Sequence, residues 1–388
     1  MADMNVKFIS QKISKIRWKP VGASSLQKPN LFVTGSWDDE QSKLSFWTFG
    51  QHDIDYDLYT MDTETAAVDM EPQLLADITH VGDVTDLKYL DQQQVVASSS
   101  KGSVGIFKHN QNTQAVECVQ TWKNLHGYNL ISCPCTCVGH REDVLVTGGE
   151  DGKICVLNLE KKNITKCIDK ADSCTINSIT FLRQNEILIT NSTGQLKIFD
   201  LRANPSETPQ TLFLSGEQVS LMCAAKHPSQ QHLVATGTVD GSLCLWDLRQ
   251  KTNPVTLLGG HTGPLWEVKF HSAYPNHLFT CSEDGSLWHW DNSTAASSFP
   301  YLSSPSVKPS LGGTSRKTMD IGNSGLLGSV TNNPWSLNAS DRHKIEITSL
   351  LEGGSHCLSI NSLDVEEETI LCGGDNESIY TIPLPNLR

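Results

Sequence analysis

No run of about 18 to 20 apolar residues, the length a membrane-spanning helix needs, occurs in the 388 residues. Membrane insertion is therefore not expected. A block of Lys and Arg is missing too: 30 basic residues are scattered among 43 acidic ones, for a formal net charge of −13. Phosphate-backbone binding depends on clustered cations, so direct contact with nucleic acid or an anionic membrane is disfavoured and a protein partner is expected. The start, Met1-Ala2-Asp3-Met4-Asn5, has no basic region followed by an apolar run. A secretory leader is thus not expected, which points to the cytoplasm or nucleus. Also absent are a phosphate-binding loop, a Gly-x-Ser-x-Gly elbow, a His-Glu-x-x-His pair and a carboxylate pair standing apart from turns. The expectation is a non-enzymatic protein with no cofactor and no small-molecule substrate.

The 12 cysteines lack the paired Cys-x-x-Cys knuckles of structural zinc sites. Most lie in strand-like runs such as Lys153-Ile154-Cys155-Val156-Leu157, where a reduced Cys behaves as a small hydrophobe. The tightest group is Cys133, Cys135 and Cys137, flanked by His126 and His140. Alternate residues of a strand share one face, and that spacing argues against a metal.

What the chain does have is repetition. Five segments place a Gly five residues before the bulky residue that ends a short apolar strand: Gly102 to Phe107, Gly152 to Leu157, Gly194 to Phe199, Gly241 to Trp246 and Gly285 to Trp290. In each, strands rich in Val, Ile, Leu and Thr flank a tight turn, a hairpin signature. Weaker copies lead to Trp47 and to Tyr380, so the seven terminal positions are separated by 60, 50, 42, 47, 44 and 90 residues. Each period also holds an outer segment, such as Thr211-Leu212-Phe213-Leu214, and an inner one, such as Leu265-Trp266-Glu267-Val268-Lys269-Phe270. Four strands per period predict a propeller blade. The wide last gap is read as a Ser-, Pro- and Gly-rich mobile insertion over 292–340, after which Ile345 to Leu350 resumes the outer strand of blade six. Val6-Lys7-Phe8-Ile9 is expected to supply the fourth strand of blade seven and close the ring.

The chain resembles the WD40 family in Phe199-Asp200-Leu201-Arg202, Trp246-Asp247-Leu248-Arg249 and Trp290-Asp291. The resemblance covers essentially all of residues 1–388 apart from the insertion and implies an all-β, seven-bladed, single-domain propeller. It also implies a structural hydrogen-bond tetrad in blade six, made by His261, Thr280, Asp284 and Trp290. Blade five repeats Thr236, Asp240 and Trp246 at matching offsets, which favours a structural over a hydrolytic reading of this His-Thr-Asp set. Blades with Lys101 and Thr193 at the Asp position are expected to be held more by packing.

A narrower resemblance rests on Gln11 to Trp18, on Thr34-Gly35-Ser36-Trp37-Asp38, on Thr280 to Asp291 and on Ile345 to Leu351. These are similar to a family of small WD40 nucleoporins from the Y-shaped outer-ring complex of the nuclear pore. The resemblance implies a scaffold docked to other outer-ring nucleoporins, one of them α-helical, at the nuclear envelope. It further implies roles in pore assembly, protein and mRNA transport, and kinetochore attachment and chromosome segregation in mitosis. The alternative is a substrate receptor of a cullin-RING ubiquitin ligase, a family in which Trp-Asp-x-Arg presents its Arg to the adaptor; here that residue is Arg249.

Projecting the register of blade six onto the other blades gives candidate partner-binding residues around one face: Lys12, Ser14, Trp37, Asp83, Thr85, Glu150, Asn177, Met222, Trp266 and Glu283. Trp37 and Trp266 matter most, because large aromatics dominate interface energies, although each also suits packing between blades. Ser303, Ser304, Ser306 and Ser310, beside Pro305 and Pro309, are candidate phosphorylation sites.

Overall fold

In a computed structural model, residues 4–21, 29–50, 71–128, 131–203, 208–214, 218–250, 253–293, 335, 345–354, 356–384 and 387 are described. They form seven four-stranded antiparallel sheets and one small hairpin, Gly127–Tyr128 with Ile131–Ser132. The innermost strands are Ile13–Trp18, Val84–Tyr89, Cys135–Arg141, Ile176–Arg183, Leu221–Lys226, Leu265–Phe270 and Ile360–Glu366. Each touches the next, and the last touches the first. The ring is therefore closed, and the chain folds as a seven-bladed β-propeller.

Closure comes from the two chain ends, as expected. Asn5–Phe8 pairs antiparallel with Ser378–Pro383, the third strand of blade seven, in the register Val6 to Tyr380 and Phe8 to Ser378. The sheets have little core of their own. Instead one apolar cluster lies in each gap between neighbours, as where Cys223, Leu233 and Leu245 of blade five meet Leu265, Phe270 and Trp290 of blade six. The closing gap is filled alike by Ile13, Ile16, Trp18 and Phe32 of blade one against Leu371 and Ile379 of blade seven. A twisted sheet with two apolar faces must find a cover for both, and a ring supplies it without free ends.

The hairpin glycines carry the conformational demand the repeat implied. Gly241 and Gly285 have φ of 85° and 79°, in the left-handed region that costs a residue with Cβ. Blade seven departs from the rule: Glu377, at φ 57°, fills this turn position. Its strands pair Ile370 with Ile382 and Cys372 with Tyr380, whereas blade six pairs Leu278 with Trp290 and Thr280 with Trp288. Ile382 therefore takes the terminal position assigned from sequence to Tyr380. The two-residue slip arose because the glycine that marks the turn elsewhere is absent.

Of the span 292–340, the structure describes residues 292, 293 and 335, and Ser303, Ser304, Ser306 and Ser310 lie outside the described residues. At Trp335 the span returns to the core. Its indole is fully buried in the cluster between blades five and six, edge-on to Phe270 at 5.8 Å. The indole N–H donates to the Pro275 carbonyl at 3.2 Å, and Thr256 donates its hydroxyl to the Trp335 carbonyl at 3.2 Å.

The closing strand makes four register pairs, and a backbone hydrogen bond is worth about 1 kcal/mol net. Removing residues 1–9 should destabilise the protein by on the order of 3 kcal/mol, measured by urea unfolding. An unchanged midpoint would contradict closure by this strand.

Candidate functional site: the channel mouth and its rim

The inner strands share a β-bulge near the start, and the residue inside it points into the channel. The row reads Ser14, Thr85, Thr136, Asn177, Met222, Trp266 and Asn361. Most of its polar members reach the following blade. Thr85 donates to the Cys135 carbonyl, Thr136 to the Ile176 carbonyl, Asn177 to the Leu221 carbonyl at 2.9 Å, and Asn361 to the Ile13 carbonyl at 3.0 Å. Met222 has no such donor, and the Cys223 thiol reaches the Leu265 carbonyl instead, at 3.4 Å. Ser14 donates within its own blade, to Gly35 O at 3.0 Å. The belt satisfies backbone carbonyls that the bulges leave without a ladder partner.

Below the belt lies an ionic cluster at the seam of blades six, seven and one. Glu267 accepts from Lys15 at 2.8 Å, from Arg17 at 2.5 and 3.0 Å, from Ser362 at 3.1 Å and from the Leu363 N–H at 3.0 Å. Burial alone would raise this carboxyl, yet Arg17 and Lys15 together hold it well below the usual carboxylate range. Burial likewise works against the charge on Lys15 and Arg17, and Glu267 more than restores it, raising both above their ordinary values. Asp86 stands 3.7 Å from Arg17 and accepts the Val138 N–H at 2.9 Å, and Asp364 accepts the Trp18 N–H at 2.8 Å while pairing with Lys269. Lys15, Arg17, Asp86, Glu267 and Lys269 line a central cavity of about 440 Å³.

At the rim the two tryptophans flank blade seven. Trp266 donates its N–H to Ser359 at 3.0 Å, Ser359 donates to Asn361 at 2.7 Å, Asn361 donates to Asp375 at 2.7 Å, and Trp37 donates to the same carboxylate at 3.1 Å. Both indoles are half-buried, so each combines an inter-blade bond with an open edge. Lys12 lies 6.0 Å from the centre of the Trp37 ring and pairs with Asp38 at 2.5 Å. Asp83 accepts the Asp38 N–H at 3.1 Å and the Ser42 hydroxyl at 3.2 Å. Met222 takes a contact from Ser220 at 3.4 Å. Glu150 and Glu283 are exposed side chains on the rim, fixed by backbone bonds to Pro134 and Pro264.

The structure thus joins Trp37 and Trp266 through residues that the sequence projection missed, Ser359, Asn361 and Asp375. Their signal was the register of blade seven. With Glu377 placed at the glycine position, Asp375 aligns with Glu283 and Asn361 with Trp266.

The blade-six tetrad forms with one addition. Trp290 donates to Thr280 at 2.9 Å, and Thr280 lies 2.7 Å from His261 Nε2. On the other side, His261 Nδ1 is 2.8 Å from Ser286, whose hydroxyl donates to Asp284 at 2.5 Å. A neutral His protonated on Nδ1 satisfies every group in the line, from the indole donor to the carboxylate acceptor. Burial lowers the His261 pKa, in keeping with that state. Burial opposes the Asp284 charge, but bonds from Ser286 and the Thr262 N–H bring its carboxyl down to about 2.

Other blades vary the theme. In blade three, His126 sits 2.9 Å from both Thr147 and Asp151, so the histidine set beside the Cys133 group is a tetrad member. Cys137 reaches the Ile176 carbonyl at 3.8 Å, and burial pushes its thiol up to about 12. Among the described residues no group of three or more His, Cys, Asp and Glu is arranged to hold a metal. In blade five Trp246 donates to Thr236 at 2.8 Å, while Asp240 turns to Thr238 and the Ser242 N–H. Blade four, expected to be held more by packing, has polar pairs as well: Asp172 occupies the His position and pairs with Lys197 at 2.9 Å and Asn191 at 2.8 Å. A carboxylate on one side of the blade has replaced the carboxylate on the other. Arg249 and Arg202 fold back on Asp247 and Asp200, two residues earlier, at 2.5 and 2.8 Å.

A closed seven-bladed ring with this relay defines a WD40-repeat propeller, and residues 208–247 and 252–291 match the WD domain, G-beta repeat family. The chain is 44% identical to Nucleoporin Nup43 of Mus musculus over 386 residues, and 44% identical to Nucleoporin Nup43 of Homo sapiens over 388 residues, with 98% of each chain covered in both cases. A nuclear pore complex protein nup43 of Dictyostelium discoideum is 27% identical over 154 residues, covering 39% of this chain and 36% of that protein. The chain belongs to the Nup43 family of WD40 nucleoporins.

Two predictions come from this geometry. Thr280→Val strands two buried partners, His261 and Trp290, and should cost about 2 to 4 kcal/mol in chemical unfolding; Thr236→Val, which strands the Trp246 N–H, should cost about half as much. Equal costs would show that the relay adds nothing. Glu267→Gln removes the main counter-charge of Lys15 and Arg17, leaving Asp86 as the nearest carboxylate to Arg17, and should cost on the order of 3 kcal/mol at pH 7. A carboxyl held below its ordinary value stabilises fully above its unfolded pKa of about 4.3 and loses that stability as pH falls below it. The variant should therefore lose part of the decline in stability that the parent shows below pH 4.3, followed by unfolding midpoints from pH 6 to pH 2.5.

Proposed function

We propose that this chain is a non-enzymatic scaffold subunit of the nuclear pore, held in the outer-ring complex by an α-helical nucleoporin. The end-to-end similarity to Nup43, spanning 98% of both chains, carries the reading. The blades agree with it: the His261, His126 and Glu267 clusters are engaged in relays and ion pairs that hold the ring together. Pore assembly, nucleocytoplasmic transport and attachment to mitotic kinetochores are the processes such a subunit serves, at the nuclear envelope and then at kinetochores.

The docking surface is proposed to be the rim that carries Lys12, Trp37, Glu150, Trp266 and Glu283. The open edges of Trp37 and Trp266 supply aromatic anchors, and the exposed carboxylates favour a helix with a basic face. Deeper candidates, Thr85 and Asn177, support the rim from within.

Affinity purification of the tagged chain should recover outer-ring nucleoporins in stoichiometric amounts. The paired charge reversal Glu150→Lys with Glu283→Lys touches no side-chain bond found in the structure. It should lower that recovery at least tenfold with an unchanged melting temperature, and Trp37→Ala should lower it further. Full recovery by a folded double variant would move the interface off this rim, while recovery of a cullin and its adaptor alone would overturn the scaffold reading.

A further inference from the structure

We propose that Cys155 and Cys167 form a redox-modification site that closes to a cross-strand disulfide on contact with a hydroperoxide. Cys155 lies on the third strand of blade three, Ile154–Asn158, and Cys167 on the outer strand, Asn163–Ile168. The two are direct antiparallel partners. Partners of this kind place their Cβ atoms about 4.5 to 5.5 Å apart on one face, near the spacing a disulfide bridges. Their sulfurs are 3.1 Å apart, and both are free thiols. An S–S bond of about 2.05 Å therefore needs only a turn of the side chains and a small approach of an outer strand that has no further neighbour in its sheet.

The surroundings give the two thiols different parts. Cys155 is fully buried in the cluster shared with Trp122 and Leu125 of the preceding blade, whereas Cys167 is partly open to solvent at the edge of the same cluster. A peroxide reaches Cys167. The thiol gives up its proton, the thiolate attacks the O–O bond to form a sulfenic acid, and the departing hydroxide (alkoxide from an organic peroxide) takes up that proton and leaves as one water (or alcohol). The Cys155 sulfur then attacks the sulfenic sulfur, and the departing hydroxide takes the Cys155 proton away as a second water. Two thiols have lost two electrons, and the peroxide has gained them. Burial and the neighbouring sulfur raise the Cys155 thiol well above its ordinary range, which keeps it protonated and inert until Cys167 has been oxidised beside it. Closure would bind the outer edge of blade three to its third strand and protect Cys167 from further oxidation.

The test uses the full chain carrying Cys118→Ser and Cys357→Ser, which removes the two exposed thiols. It is treated with hydrogen peroxide, blocked with iodoacetamide and digested with trypsin without reduction. Peptide 154–161 should appear linked to peptide 167–170, should disappear on treatment with dithiothreitol, and should be accompanied by a raised melting temperature. Adding Cys155→Ser should abolish the link and leave a Cys167 sulfenic acid that dimedone traps. Peroxide that converts Cys167 directly to sulfinic acid with Cys155 present, or that leaves both cysteines open to alkylation, would overturn the proposal.

Discussion

Every blade of this protein has two apolar faces, and neither can be covered from within the blade. The whole structure depends on that constraint. Leu245 is buried because Leu265 lies opposite it in the next sheet, and Ile13 because Leu371 does, at the point where the ends of the chain meet. An open row of such sheets would leave apolar faces at both ends, and such end faces need capping to stay soluble. The closing strand Asn5–Phe8 and the ionic seam around Glu267 therefore act at one place for the same purpose. The strand completes the outer edge of blade seven and ties the chain's beginning to its end, and Glu267 of blade six binds Lys15 and Arg17 of blade one across blade seven.

Polar groups follow the same logic on a smaller scale. Each bulge in an inner strand frees a carbonyl, and a side chain from the preceding blade covers it where the residue type allows. The relay of blade six, His261 to Thr280 and Trp290, has counterparts in blade three with His126 and in blade four with Asp172, at the His position, paired to Lys197 of the third strand. Burial requires that these groups be paired, without requiring which partner supplies the charge. The repeats can thus diverge in sequence while keeping one geometry.

The reading of the sequence went furthest where local chemistry dictates the outcome. A glycine at positive φ five residues before a buried strand end marks five of the turns, and alternating apolar strands follow from it. It failed by two residues in blade seven, where Glu377 adopts the same backbone without the marker. That slip hid Asp375 and Asn361, so the bonded line from Trp266 to Trp37 was not visible. The projection of blade six onto the other blades reached five of the seven channel-facing bulge positions, missing Thr136 and Asn361. It gave all its residues one role, and the structure divides them between an inner belt, Thr85 and Asn177, and an outer rim, Glu150 and Glu283.

The sequence by itself determined the number of blades, the hairpin turns marked by glycine and the strand that closes the ring, because these rest on residues close together or on a repeat that can be counted; the tetrad of blade six came through the resemblance to the WD40 family. Only the tertiary structure decided which residues meet between blades: Glu267 with Arg17, Trp37 with Asp375, Thr85 with Cys135. Those pairs join chain positions as much as 338 residues apart. Their partners are set by the angle at which one sheet packs on the next, which no local pattern encodes.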